Sequence, residues 1–227
     1  GGWGTVSLEN LIRLATGELY LNRLKAGQHD VVKDTHITAE LYTTFSLLME
    51  KNLFRYHFQP IVHAKTGQIF AYEALMRTDS LINLTPLQVL AIAREYGRLY
   101  DVEKVTFFGI MEQYVQHYSA FQGSKVFINT IPGYFLNTAD CQELKNRFQS
   151  YLDCFVIELT EQDSTSDEEP IRLMQLSKPG SQAQIAIDDY GTGHSNMVNV
   201  LRYGPQFIKI DRALISGIEE DSNKQLF

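Results

Sequence analysis

The order of apolar and polar positions divides the chain into a helical start and a strand-rich remainder. Leu8, Leu11, Ile12, Ala15 and Leu19 keep helical spacing behind Ser7, a good N-cap, and the pattern runs out near Gly27. A polar stretch over 28–36 reads as a linker, and helical spacing resumes over 38–51. The period then changes from 3.6 to 2. Phe54-Arg55-Tyr56-His57-Phe58-Gln59 alternates as a half-buried strand does, and 68–77 reads as a second strand. Lys65-Thr66-Gly67 is a turn signal between them. A parallel crossover needs a dozen or more residues, so these two strands are expected to pair antiparallel.

Beyond them, helix and strand alternate. Thr85-Pro86-Leu87-Gln88 combines an N-cap, a proline at the first helical position and a capping-box glutamine. The helical pattern that follows breaks near Gly97 and continues to about Tyr118. Strands are expected over 125–129, 154–159, 183–188 and 206–210, with helical patterns between successive pairs. This βα repetition predicts an α/β fold with a mostly parallel sheet, open or closed. Six strands fall short of the eight of a closed βα barrel, so a barrel here would lack about two units at its C-terminal end.

Composition narrows the options only a little. The chain has 227 residues, 44% of them apolar, enough for a sizeable core. Cys141 and Cys154 carry no metal-ligand spacing, and reduced thiols in a cytoplasmic setting are expected. No apolar run approaches the roughly 18 residues of a membrane span, although a membrane tether upstream of Gly1 stays open. The net charge of −7 argues against duplex nucleic acid as a partner. An anionic substrate would need local cations to offset that field.

Polar residues gather at the expected C-terminal strand ends, which form the active face of a barrel. They are Glu73 and Arg77, then Asn129, then Glu158 with Glu161 after it, then Asp188 and Asp189, then Lys209 and Asp211. Residues two or four apart share a strand face, so Glu73 points with Arg77 and Lys209 with Asp211. Converging carboxylates need protons or a cation. Glu73, Asn129, Glu158, Asp188 and Asp189 offer only hard oxygens, a set that favours magnesium or manganese over structural zinc. Two adjacent aspartates can bridge two metals, and such a pair activates water against a phosphodiester. A single acid at a strand end is an ordinary helix cap. Four successive strand ends with oxygen ligands are not explained that way. The Gly191-Thr192-Gly193 segment begins like a dinucleotide-binding loop, but Asn196 stands where its third glycine belongs and two aspartates precede it. A hinged loop over the metals fits better. His57, His63 and His117 read as surface or packing residues, His29-Asp30 is a lone dipeptide in the linker, and no Ser/His/Asp order supports a triad.

Taken in order, these residues resemble the EAL family of cyclic-di-GMP phosphodiesterases. The resemblance runs from about Phe54 to Ile218. It includes Gln59-Pro60-Ile61-Val62, Glu73-Ala74-Leu75-Met76-Arg77, Asn129, Glu158-Leu159-Thr160-Glu161, Asp188-Asp189-Tyr190-Gly191-Thr192-Gly193 and Lys209-Ile210-Asp211-Arg212. It implies a TIM-like (β/α) barrel with one antiparallel strand, incomplete at the C-terminus, and metal-dependent hydrolysis of cyclic-di-GMP to linear pGpG. It further implies that Glu73, Asn129, Glu158 and Asp188 bind one Mg2+ or Mn2+, and that Asp188 and Asp189 reach a second. Lys209 would orient or polarise the attacking water, and Glu161 would hold the glycine-rich loop. Gln59, Leu75 and Arg77 would contact substrate, with Arg77 on a phosphate and Asp211 close by. Tyr190 and His194 stand where the family usually has phenylalanine and often tyrosine. Two further family motifs would lie beyond Phe227, so this chain alone is expected to be inactive or feeble. A receptor that binds cyclic-di-GMP without cutting it, or a module that passes a signal through the helical linker, are the competing functions.

Residues 11–20 and Lys25-Ala26-Gly27 look like the last helix of a GGDEF domain, without any cyclase motif. The expected organisation is therefore the tail of an upstream GGDEF-like domain plus linker over 1–36, and an EAL domain over 37–227. Partners implied are cyclic-di-GMP and an upstream GGDEF or sensor domain in the same polypeptide, with room for a homodimer.

Overall fold

A computed structural model describes residues 37–160, 176, 183–191, 203–222 and 224–226. The helix expected over 7–27 and the linker after it lie outside these residues. The first described helix, α1 (Ala39–Glu50), is capped by Thr38, whose hydroxyl accepts from the Leu41 N–H at 3.3 Å. Strands β1 (Phe54–Val62) and β2 (Ile69–Thr78) follow as an antiparallel ribbon, as the short turn between them requires. Helix α2 (Pro86–Glu95) carries the full capping box of Thr85 and Gln88. Helix α3 (Leu99–Gln116) restarts after Gly97 and stops two residues short of the expected Tyr118. A four-residue turn of helix, α4 (Tyr118–Phe121), leads to β3 (Lys125–Asn129). Next come α5 (Thr138–Phe148), a 3-10 turn at Gln149–Cys154 and β4 (Phe155–Thr160). Strands β5 (Gln184–Tyr190) and β6 (Phe207–Ile210) and the short α6 (Arg212–Ile215) complete the order.

The sheet runs β1-β2-β3-β4-β5-β6. Every pairing after the first ribbon is parallel. Among the described residues the sheet is not closed, and β1 and β6 are its edges.

Its two faces differ in kind. The outer face packs on the helices through Tyr56, Ile128, Ile157, Leu159 and Ile187, which meet Phe107, Ile110, Met111, Tyr114 and Leu144. Gly109 lets α3 approach β1: a Cβ there would lie 2.5 Å from the Tyr56 ring. The inner face holds a thinner apolar layer of Ala71, Phe127, Val156 and Ala186, with Ile61 and Phe207 against it. Each member of that layer is followed, two residues on, by a polar one. Ala71 leads to Glu73, Phe127 to Asn129, Val156 to Glu158, Ala186 to Asp188 and Phe207 to Lys209. Side chains two apart share a strand face. The apolar layer is thus the floor, and the polar layer stands on it at the C-terminal strand ends.

Candidate active site

Four parallel strands and the antiparallel β2–β1 ribbon deliver the polar layer. Lys209 of β6 sits at its centre. Its Nζ lies 2.6 Å from Glu158 Oε1, 3.3 Å from Asp188 Oδ1 and 3.4 Å from Glu73 Oε1. Asn129 donates from Nδ2 to Glu73 Oε1 at 3.1 Å. The parallel register sets Asn129 directly beside Glu158, and the antiparallel register sets Gln59 beside Glu73. Five of the predicted residues, Glu73, Asn129, Glu158, Asp188 and Lys209, therefore form one cluster.

Its electrostatics are unbalanced: three carboxylates face one ammonium. The Glu158 side chain is fully buried, and neither of its oxygens accepts a well-directed hydrogen bond, close as Lys209 is. Burial pushes its carboxyl up to about 8, Lys209 pulls the other way, and Glu73 and Asp188 add to the rise. Burial also works against the Lys209 charge, but Glu158, Asp188 and Glu73 outweigh it and hold that ammonium above the ordinary lysine range. An unsatisfied buried carboxylate oxygen costs about 1–3 kcal/mol. A second cation would relieve that cost.

The donor set fits a hard divalent ion: carboxylate oxygens and one amide, with no thiol or imidazole among them. Among the described residues no three His, Cys, Asp or Glu side chains already surround a common metal position. The reason is visible in the cluster. Its carboxylates point at the lysine, so an arriving metal and the ammonium compete for the same oxygens.

The remaining predicted residues sit around this cluster. Asp189 adopts φ 57°, a left-handed conformation, and its N–H donates to Asp188 Oδ1 at 3.0 Å. Leu75 and Arg77 continue the inner face of β2, where Leu75 pairs with His57 and Arg77 with Arg55. Arg77 donates from Nη1 to the Met76 carbonyl at 2.7 Å. Arg55 is tied to Asp79 by hydrogen bonds of 3.1 and 2.6 Å, which offsets the repulsion between the two facing arginines. Asp211 caps α6, its Oδ1 accepting from the Ala213 N–H at 2.6 Å. Glu161 and the loop from Thr192 onward lie outside the described residues. His57, His63 and His117 are exposed, in line with a surface role.

Sequence reasoning missed two residues that brace the site. Thr130, just after Asn129, donates its N–H and its hydroxyl to the Glu158 carbonyl at 3.2 and 2.8 Å. Glu103 of α3 is buried and accepts from the Ile131 N–H at 3.0 Å. The available signal was an acid in the apolar stripe of α3, four residues before Phe107.

The EAL domain family matches residues 42–227. A curated relative, the probable cyclic di-GMP phosphodiesterase PdeN of Escherichia coli K12, is 27% identical over 194 residues, 75% of this chain but 34% of its own length. The chain thus spans about a third of that relative. Among solved structures, the PaMucR phosphodiesterase in complex with c-di-GMP superposes with a TM-score of 0.65 at 24% identity, covering 82% of this chain and 78% of its own. A manganese and cyclic di-GMP complex of Klebsiella pneumoniae BlrP1 gives a TM-score of 0.64 at 22% identity, over 77% of this chain and 44% of its own. Both likenesses share the fold described above.

Proposed function

This chain belongs to the EAL domain family, and on that premise we propose that its protein hydrolyses cyclic di-GMP to linear pGpG at the inner rim of the sheet. The observation that carries this reading is the buried Glu158 carboxylate, without a well-directed hydrogen bond, among two further carboxylates and one lysine on neighbouring strand ends. Such a cluster is costly unless it serves a cation. The probable cyclic di-GMP phosphodiesterase PdeN and the c-di-GMP and manganese complexes of the structural relatives support the same substrate and a divalent metal.

Glu73, Asn129, Glu158 and Asp188 would hold one Mg2+ or Mn2+, and Asp188 with Asp189 would reach a second. When bound, a metal pair makes water a nucleophile at neutral pH and offsets charge on the phosphodiester. The chain's own residues do the rest. Lys209 would orient or polarise the attacking water beside Glu73, Glu158 and Asp188. Arg77 offers the forked guanidinium that suits a phosphate. Gln59 and Leu75 contact the nucleotide along the β1–β2 ribbon, and Asp211 borders it. Glu161 holds the glycine-containing loop after Asp188. Water adds to one phosphorus, the bond to a ribose 3′ oxygen breaks, and that oxygen takes up the proton. Residues 37–227 act as the catalytic domain, and 1–36 continue from an upstream GGDEF-like domain in the cytoplasm.

The test is direct. The full gene product is incubated with cyclic di-GMP and Mn2+, and the products are separated by chromatography. Formation of pGpG is expected. Tight binding without product would replace the enzyme with a receptor.

A further inference from the structure

Glu158 presents a geometric problem. Its side chain is buried, with Lys209 Nζ 2.6 Å from Oε1, and beyond that ion pair its aim depends on its backbone and packing. Its place in β4 is set by the pairing with β3 and β5, and its carbonyl accepts two donors from Thr130, the N–H and the hydroxyl. The same residue follows Asn129, whose amide reaches Glu73. Thr130 therefore ties the end of β3 to the end of β4 at the point where both strands deliver a donor atom to the site.

Thr130 is itself held from behind. Ile131-Pro132-Gly133-Tyr134 makes a tight turn, closed by the Tyr134 N–H on the Ile131 carbonyl at 2.9 Å. Gly133 has φ 78°, the conformation a turn with proline at its second position asks of its third. Helix α3 anchors both ends of this loop from one face. Glu103 accepts the Ile131 N–H at its start, and Phe107, one turn along, meets the buried Phe135 edge-on at its end, with centroids 5.7 Å apart. An apolar residue at 103 would pack there equally well but would leave the Ile131 N–H without this acceptor. A carboxylate 1% exposed is an expensive way to fill that space.

We propose that Glu103 and Thr130 are positioning residues that set the spacing of Asn129 and Glu158 for a divalent cation. This deepens the proposed function and rests on it. Residues that orient metal ligands typically change metal affinity about 10- to 100-fold when removed.

Mn2+ affinity of this chain, measured by the electron paramagnetic resonance of the free ion, is the first readout, with no substrate present. Thr130→Val and Glu103→Leu are expected to weaken Mn2+ binding about 10- to 100-fold. Thr130→Ser and Glu103→Gln, which keep a hydroxyl and an acceptor oxygen, are expected to stay within about threefold of wild type. Unchanged affinity in Thr130→Val, with only a lowered melting temperature, would reduce the clamp to fold stability and overturn the proposal. If Glu103→Leu does not fold, Thr130→Val against Thr130→Ser decides alone. If the wild-type chain binds no Mn2+, the metal reading fails by itself. The side-chain amide resonance of Asn129 in metal-free protein then decides the positioning: a shift in Thr130→Val supports it, and an unmoved resonance ends it.

Discussion

Among the described residues, Lys104 and Lys209 meet carboxylates, and they do so differently. Lys104 on α3 pairs with Asp140 Oδ1 at 2.8 Å, while Tyr100 donates to the other oxygen of the same carboxylate. Burial raises the Asp140 carboxyl, but Lys104 and Tyr100 outweigh it and leave it below its ordinary value. Lys104 stays partly in water. One negative charge meets one positive charge, and the donors are used up. Lys209 instead faces three carboxylates, one of them entirely buried. A balanced, satisfied pair stitches α3 to α5. An unbalanced one retains a negative excess inside the protein, and that excess is available to a cation. Charge balance and satisfaction of the buried oxygens separate the two.

The comparison can be broken most sharply at the acids. Glu158→Ala or Glu73→Ala should cut pGpG formation by the full gene product at least about a thousandfold, because metal assistance is worth several kcal/mol. Near-normal rates in a steady-state assay would remove these residues from the site. Lys209→Met should do two things. Turnover should fall, and in EDTA the protein should melt lower, since removing one partner of a buried pair costs about 3–5 kcal/mol. Added Mn2+ should restore the variant's melting temperature by more than it raises the wild type's. Equal metal shifts in a thermal scan would mean that Lys209 and the metal do not share oxygens.

Acidity offers a third test. Burial holds the folded Glu158 carboxyl up at about 8, above the ordinary 4.5 of a free glutamate. Between these values the native state holds more protons than the unfolded chain. Metal-free stability should therefore fall as pH rises from 4.5 to about 8, and level off above it. Mn2+ affinity should rise over the same window, because the ion displaces that proton. Urea titrations at pH 5, 6, 7 and 8 would show no slope from this group if the carboxyl is ionised throughout. The smallest effect belongs to the balanced site. Lys104→Met should cost ~0.5–1 kcal/mol after allowing for solvent screening. Mn2+ affinity should stay unchanged, and any large change would show that the two lysine sites communicate.

Much of this arrangement was readable from residue order, and what was not has a common cause. The β1–β2 ribbon, the Thr85 cap and the strand ends bearing Glu73, Asn129, Glu158 and Asp188 all follow from short-range periodicity. Face sharing was equally visible, since it depends on a spacing of two. The bond from Thr130 to Glu158 spans 28 positions, as does that from Glu103 to Ile131. Such ties are set by register between strands and by the approach of a helix, neither of which a local pattern encodes. The same holds for Arg55, which alternation leaves as an ordinary exposed strand residue until the register sets it opposite Arg77. Asp189 marks a different limit: residue order shows its adjacency to Asp188 but not its left-handed φ of 57°, which falls where β5 and β6 shift register.

The hairpin at 63–68 lies at the opposite end of the ribbon from the chemistry, yet it acts as its ruler. The His63 N–H meets the Gln68 carbonyl at 2.9 Å, and an irregularity between Ile61 and Val62 locks the count of residues on the edge strand. Strand faces alternate with every residue, so a slip of one position would turn Gln59 away from Glu73 and bring Phe58 or Pro60 round in its place. Adding a single residue to that distant turn would thus rewrite the wall that carries Gln59 without altering any side chain in it.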